Sequence, residues 1–132
     1  MTAGGLSGRW IGRYDYTGRA LPAVAFEVVL EDARGDLKGS LTEPNGFRPD
    51  RGATLRARLI GGRDGAAVSF VKYYIGFDQD DDPHYKGAVN AALTRIEGQW
   101  WFPTIADWGG RFVMTRERVQ ILQRAVAVEA VE

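Results

Sequence analysis

Residues 84–102 read HYKGAVNAALTRIEGQWWF. Tyr85, Gly87 and Val89 fall on one side of the opening run, with His84, Lys86 and Ala88 on the other. Past a tight turn placed at Thr94, Ile96, Gly98, Trp100 and Phe102 again alternate with Glu97, Gln99 and Trp101. A period of two belongs to β-strands, because successive side chains leave the backbone on opposite faces. Two such runs joined by a short turn make an antiparallel hairpin.

Working outward, the same alternation recurs in segments 8–16, 24–32, 36–43, 54–60, 67–75, 84–93, 95–102 and 110–115, separated by Gly, Pro, Asp and Asn clusters. The connections alternate in length. Short ones fall at 33–35, 61–65 and 94, and long ones at 17–23, 44–53, 76–83 and 103–109. In an antiparallel meander successive loops lie at opposite ends of the sheet, so the long loops share one rim. The expected fold is therefore all-β: an antiparallel up-and-down β-barrel of about eight strands, closed at the short-turn end and open at the other. A flat sheet or a sandwich with the same loop lengths is the alternative. Trp10-Ile11-Gly12-Arg13-Tyr14, Leu37-Lys38-Gly39-Ser40-Leu41, Tyr85-Lys86-Gly87-Ala88-Val89 and Ile96-Glu97-Gly98-Gln99-Trp100 each place glycine between two inward-facing bulky residues. Such glycines mark the sharp bends a small barrel needs, or make room for opposing rings.

The 132 residues suit one domain, with the barrel over 8–116. After Arg116, Val119, Leu122, Ala125, Val126 and Glu129 recur at helical spacing, which predicts a C-terminal amphipathic helix over 117–130. Seventeen Lys and Arg balance seventeen Asp and Glu, so no overall field favours nucleic acid or an anionic membrane. No cysteine is present, which excludes disulfides, thiol catalysis and Cys-ligated metals. Without an apolar run of membrane-spanning length or a leader pattern, the expectation is a cytoplasmic protein.

One apolar choice per strand fixes the interior. Trp10, Leu30, Leu37, Leu59, Val68, Ile96 and Met114 then form a dry plug near the short-turn end. Toward the long loops the same face carries Tyr14, Tyr16, Glu43, Lys72, Tyr74 and Tyr85 among Phe26, Phe70, Trp100, Phe102 and Phe112. Apolar walls with a few converging polar groups are what a small-molecule pocket requires. Lys72 is the sharpest element, because an inward ammonium needs a counter-charge. Glu43 supplies it, or a ligand carboxylate or phosphate does; alternatively Lys72, Glu43 and tyrosines form a purely structural network.

Gly8-Arg9-Trp10 at the start of the first strand resembles the calycins, the barrel superfamily that includes lipocalins, fatty-acid-binding proteins and avidins. The resemblance implies an eight-stranded barrel over most of the chain with an internal small-molecule site. The short chain looks most like avidin, which would make Trp100 and Trp108 cavity aromatics. Two departures speak against biotin: Gly12 stands where avidins place a polar contact, and Leu41-Thr42-Glu43-Pro44-Asn45-Gly46 replaces a Ser/Thr-rich strand and loop. The lipocalin disulfide is also missing.

Asp78-Gln79-Asp80-Asp81-Asp82-Pro83-His84 spaces carboxylates like a calcium loop, but Pro83 and Val89 occupy the positions that need Gly and Glu, so it reads as a solvated acidic rim. No nucleophile elbow, phosphate loop or His-based metal spacing occurs, and no cofactor or metal is expected. Outward-facing Val71, Tyr73, Ile75, Ala88, Trp101 and Val113 form an apolar stripe suited to a second copy of the chain as a dimer, or to the C-terminal helix. The sequence thus leads to a non-enzymatic barrel binding a small, partly apolar or aromatic molecule, anionic if Lys72 anchors it. The rival reading is a protein-interaction module, an inhibitor or assembly subunit, using the rim or the outer stripe.

Overall fold

A computed structural model describes residues 5–117 of the chain. Eight strands appear where the alternation predicts them: β1 (Gly8–Tyr14), β2 (Val24–Ala33), β3 (Asp36–Pro44), β4 (Thr54–Asp64), β5 (Ala67–Tyr74), β6 (His84–Val89), β7 (Arg95–Trp101) and β8 (Gly109–Arg116). Each pairs antiparallel with its neighbour in sequence, and β1 pairs with β8, with Gly12 opposite Met114, so the sheet closes on itself. Closure leaves no unpaired sheet edge. The C-terminal helix expected over 117–130 falls, beyond Glu117, outside the described residues.

Every inward assignment holds. Buried and exposed residues alternate strictly through β2, which runs from half-buried Val24 through buried Phe26, Val28 and Leu30, and the other strands follow the same rule except at the end of β4, where Gly61, Gly62 and Arg63 are all half-buried. Three boundaries differ from the sequence reading by two residues or more, and the others by at most one. The fourth strand continues to Asp64, pairing through Gly61 and Gly62 with Phe70 and Ser69, so the turn expected over 61–65 shrinks to Gly65 and Ala66. A Cβ at Gly61 would run into the Ser69 carbonyl oxygen and the Phe70 backbone; the glycine that reads as a turn is a close approach within the sheet. The sixth strand ends at Val89. Asn90 Oδ1 accepts hydrogen bonds from the Thr94 and Arg95 amides at 2.8 and 3.0 Å, and Leu93 turns the chain at φ 58°, giving a five-residue connection over 90–94. Finally, β1 stops at Tyr14, leaving Tyr16 on the loop.

The β2–β3 turn places Arg34 and Gly35 at φ 55° and 95°, the pair of left-handed residues that matches strand twist in a two-residue hairpin. Asp32 braces it, accepting from the Gly35 amide at 2.8 Å and from Arg63 Nε at 3.0 Å.

The short-turn end is sealed by a dry cluster of Trp10, Leu30, Leu37, Leu59, Val68, Ile96 and Met114, each 2 % exposed or less. Leu6, from the segment before β1, completes the plug at 0 % exposure. Trp10 Nε1 donates to the Leu6 carbonyl at 2.9 Å. Arg116, at the end of β8, donates to the carbonyls of Gly5 at 2.9 Å, of Leu93 at 3.1 Å and of Ser7, with its guanidinium 5.5 Å from the Trp10 ring centre. One arginine thereby ties the first and last strands and the β6–β7 turn across the plug.

Candidate functional site

Above the plug, the strand ends at the long-loop rim surround a cavity of about 710 Å³. Its floor is built from three strands. Glu43 stands at the end of β3, Lys72 and Tyr74 two residues apart on β5, and Tyr14 at the end of β1. The small Ala57 of β4 lies between Leu41 and Tyr74 in register and leaves space for the longer side chains to converge.

Lys72 Nζ donates to Glu43 Oε1 at 2.7 Å, and both side chains are only 1 % exposed. Glu43 Oε2 accepts from the hydroxyls of Tyr14 at 2.9 Å and Tyr74 at 3.0 Å. The ammonium also lies 4.6 Å from the Tyr14 ring centre, 4.8 Å from that of Tyr74 and 5.7 Å from that of Tyr85, within range of the negative ring faces. Burial drives the phenol pKa values of Tyr14 and Tyr74 up, and the Glu43 carboxylate adds to the rise, so both stay protonated as donors. Burial alone acts to lower the Lys72 pKa; Tyr74 and Glu43 more than offset it and hold the value above that of a free lysine. The counter-charge of Lys72 is therefore Glu43, and the floor as a whole is neutral.

Of the eleven residues expected to bind a ligand, Tyr14, Tyr16, Glu43, Lys72, Tyr74, Tyr85, Trp100 and Phe102 line this cavity. Phe26, Phe70 and Phe112 do not; they pack beneath it. Phe26 fills the space over Gly12, and Phe70 stacks on Tyr85 at 4.9 Å between ring centres, with Phe112 edge-on to both at 5.9 and 5.1 Å. These rings support the floor from below. Trp100 is locked in the wall by its indole N–H, which donates to the Asp15 carbonyl at 2.8 Å.

The upper wall comes from loop residues that the strand reading could not orient: Leu21 and Pro22 from the first long loop, Phe47 from the second, Ile105 and Trp108 from the fourth. Phe47 meets Tyr74 edge-on at 5.5 Å, and Arg19 stacks over Trp108 at 3.7 Å. The acidic loop departs from its expected solvated state at Asp81. That residue is 8 % exposed, and its Oδ2 accepts from the amide and hydroxyl of Thr104 at 2.7 and 2.6 Å, pinning the loop before β6 to the loop before β8. Among the described residues no group of three His, Asp or Glu side chains is placed to hold a metal ion. A second depression, of about 770 Å³, runs outside the rim along residues 101–109 and has no buried polar side chain in its wall.

On the outer wall Ile60, Val71, His84 and Trp101 form one continuous rung across β4 to β7. Tyr73, Ile75 and Trp101 are exposed and Val71 is half-buried. Val113 belongs to a different rung, flanked by Glu97 and Arg13, and does not extend the stripe. No protein-family model matches the chain, and no curated protein is similar to it in sequence.

Proposed function

We propose that this barrel is a non-enzymatic small-molecule-binding protein whose ligand is partly aromatic or apolar and enters through the long-loop rim. The observation that carries the reading is the cavity of about 710 Å³ itself, walled by Tyr, Trp and Phe side chains over a hydrogen-bonded polar floor. Its size lies within the range of about 300–1,000 Å³ typical of ligand pockets. A calycin-like ancestry agrees with the closed eight-stranded meander. The ligand is neutral, because Glu43 already balances Lys72 and a further anion would be placed beside a buried carboxylate.

Phenylnaphthylamine and anilinonaphthalene sulfonate test this, since the two dyes share an aromatic frame and differ by one sulfonate. The neutral dye should bind one per barrel, with energy transfer from Trp100 and Trp108, and should bind more tightly than the anion. Absence of binding by both dyes, together with a native mass spectrum showing no retained small molecule, refutes the reading. Tighter binding of the sulfonate returns Lys72 to the role of anion anchor. A second reading, dimerisation through the outer wall, is favoured by the Ile60, Val71, His84, Trp101 rung. The mass of the native particle decides it.

A further inference from the structure

Tyr85 differs from the other floor tyrosines. It is 2 % exposed, lines the cavity, and its hydroxyl makes no hydrogen bond among the described residues. Every side-chain polar atom there that is fully sealed has a partner, so the Tyr85 hydroxyl must open into the cavity. The ring is fixed. It stacks on Phe70 at 4.9 Å and on Trp100 at 6.3 Å, and it meets Phe112 edge-on at 5.1 Å. Burial, reinforced by Glu43 and Tyr16, raises its phenol pKa well above the ordinary value, so the group is a donor at any physiological pH.

On the floor around it the one carboxylate is already engaged. Glu43 is the acceptor on the floor, and Lys72, Tyr14 and Tyr74 already donate to it. Lys72 carries two further N–H groups above aromatic faces. A ligand that covers this hydroxyl without offering an acceptor leaves the donor unpaired, and one that offers an acceptor satisfies it. We infer that the cavity selects a neutral aromatic ligand bearing a carbonyl-type acceptor, and that the Tyr85 hydroxyl donates to that oxygen. This rests on the small-molecule reading above and specifies the ligand class. An acid would add charge beside Glu43.

The test uses Prodan, an aminonaphthalene ketone whose emission shifts to the red when its carbonyl accepts a hydrogen bond, alongside phenylnaphthylamine, which has no carbonyl. Tyr85→Phe keeps the stacked ring and deletes only the unpaired hydroxyl, so it folds as the parent does, a point checked by urea unfolding. The expected result is Prodan affinity lowered about tenfold relative to that of phenylnaphthylamine, with Prodan emission shifted to the blue. Equal weakening of both dyes, or Prodan binding and emission unaltered by the substitution, overturns the Tyr85 assignment while leaving the binding function intact. Failure of both dyes to bind the parent protein removes the binding function as well.

Discussion

Replacing Glu43 by glutamine preserves the shape of the floor while removing its negative charge. The amide oxygen can still accept from Tyr14 and Tyr74, so the loss is concentrated on Lys72, left as a buried ammonium without a counter-ion. Breaking a buried pair from one side typically costs about 3–5 kcal/mol. A domain of this size is stable by only about 5–15 kcal/mol, so the change removes a large part of the total. The midpoint of thermal unfolding should fall by roughly 10–20 °C.

The pH dependence is more specific than the magnitude. In the parent protein the folded-state pKa of Lys72 is raised. Its contribution is therefore complete below the unfolded lysine value of about 10.4 and lost as pH climbs through the folded value. In Glu43→Gln the carboxylate no longer opposes burial, and Tyr74, held as a neutral phenol, supplies no full negative charge in its place, so the folded value is depressed; the variant then binds fewer protons folded than unfolded and gains stability as pH rises toward about 10.4. Urea unfolding between pH 7 and 9, below the titration of free tyrosine, reads the difference. The gap between parent and variant should narrow with pH, by up to about 1.4 kcal/mol per unit. Adding Lys72→Met to the variant should restore part of the loss and abolish the slope. A Glu43→Gln protein that loses under about 1 kcal/mol and runs parallel to the parent would show that the ion pair has little hold on the fold.

Two further outcomes are expected. Arg116→Met strips donors from the carbonyls of Gly5, Ser7 and Leu93 and should cost about 2–4 kcal/mol in urea unfolding, yet leave phenylnaphthylamine affinity unchanged because the plug is at the opposite end from the cavity; loss of dye binding would show that the two ends are coupled. Asp81→Ala unpins the two rim loops and should speed dye dissociation several-fold in stopped flow at a small cost in stability. The Thr104 donors hold the Asp81 carboxyl below its usual pKa, so the parent should acquire the same fast dissociation only as pH falls below about 4, and dissociation already fast at neutral pH would contradict the clip.

Strand parity was legible in the sequence because a half-buried strand leaves little ambiguity: a one-residue slip would have put Lys72 and Glu43 in solvent and Arg56 and Arg58 in the core. Parity and height put Glu43 and Lys72 on one face and offered Glu43 as one of two partners for Lys72, a ligand anion being the other; the structure makes the pair. What failed depended on tertiary approach. Gly61 and Gly62 look like a turn until Phe70 needs the space, and Leu6 is a lone apolar residue among glycine and serine whose burial no period announces. The three sub-floor phenylalanines share parity with the pocket residues, and only the packing over Gly12 and under Tyr85 separates floor from support. Leu21, Phe47 and Ile105 sit on loops, where no repeat assigns a side to each residue, and Trp108, also on a loop, is expected in the cavity only through the family resemblance.

Closure of β1 on β8 also dictates the order in which the molecule can be made. The bond from Arg116 to the Gly5 carbonyl spans 111 residues, and the Gly12 to Met114 pairing is almost as distant in sequence. Bringing such remote segments together costs chain entropy before any contact rewards it, and folding slows as native pairings become less local. The hairpins can form as they leave the ribosome, but β1 keeps a bare edge until β8 has been synthesised. During that interval the nascent sheet is open to pairing with another chain. Growth at low temperature or low expression should therefore raise the yield of native barrel.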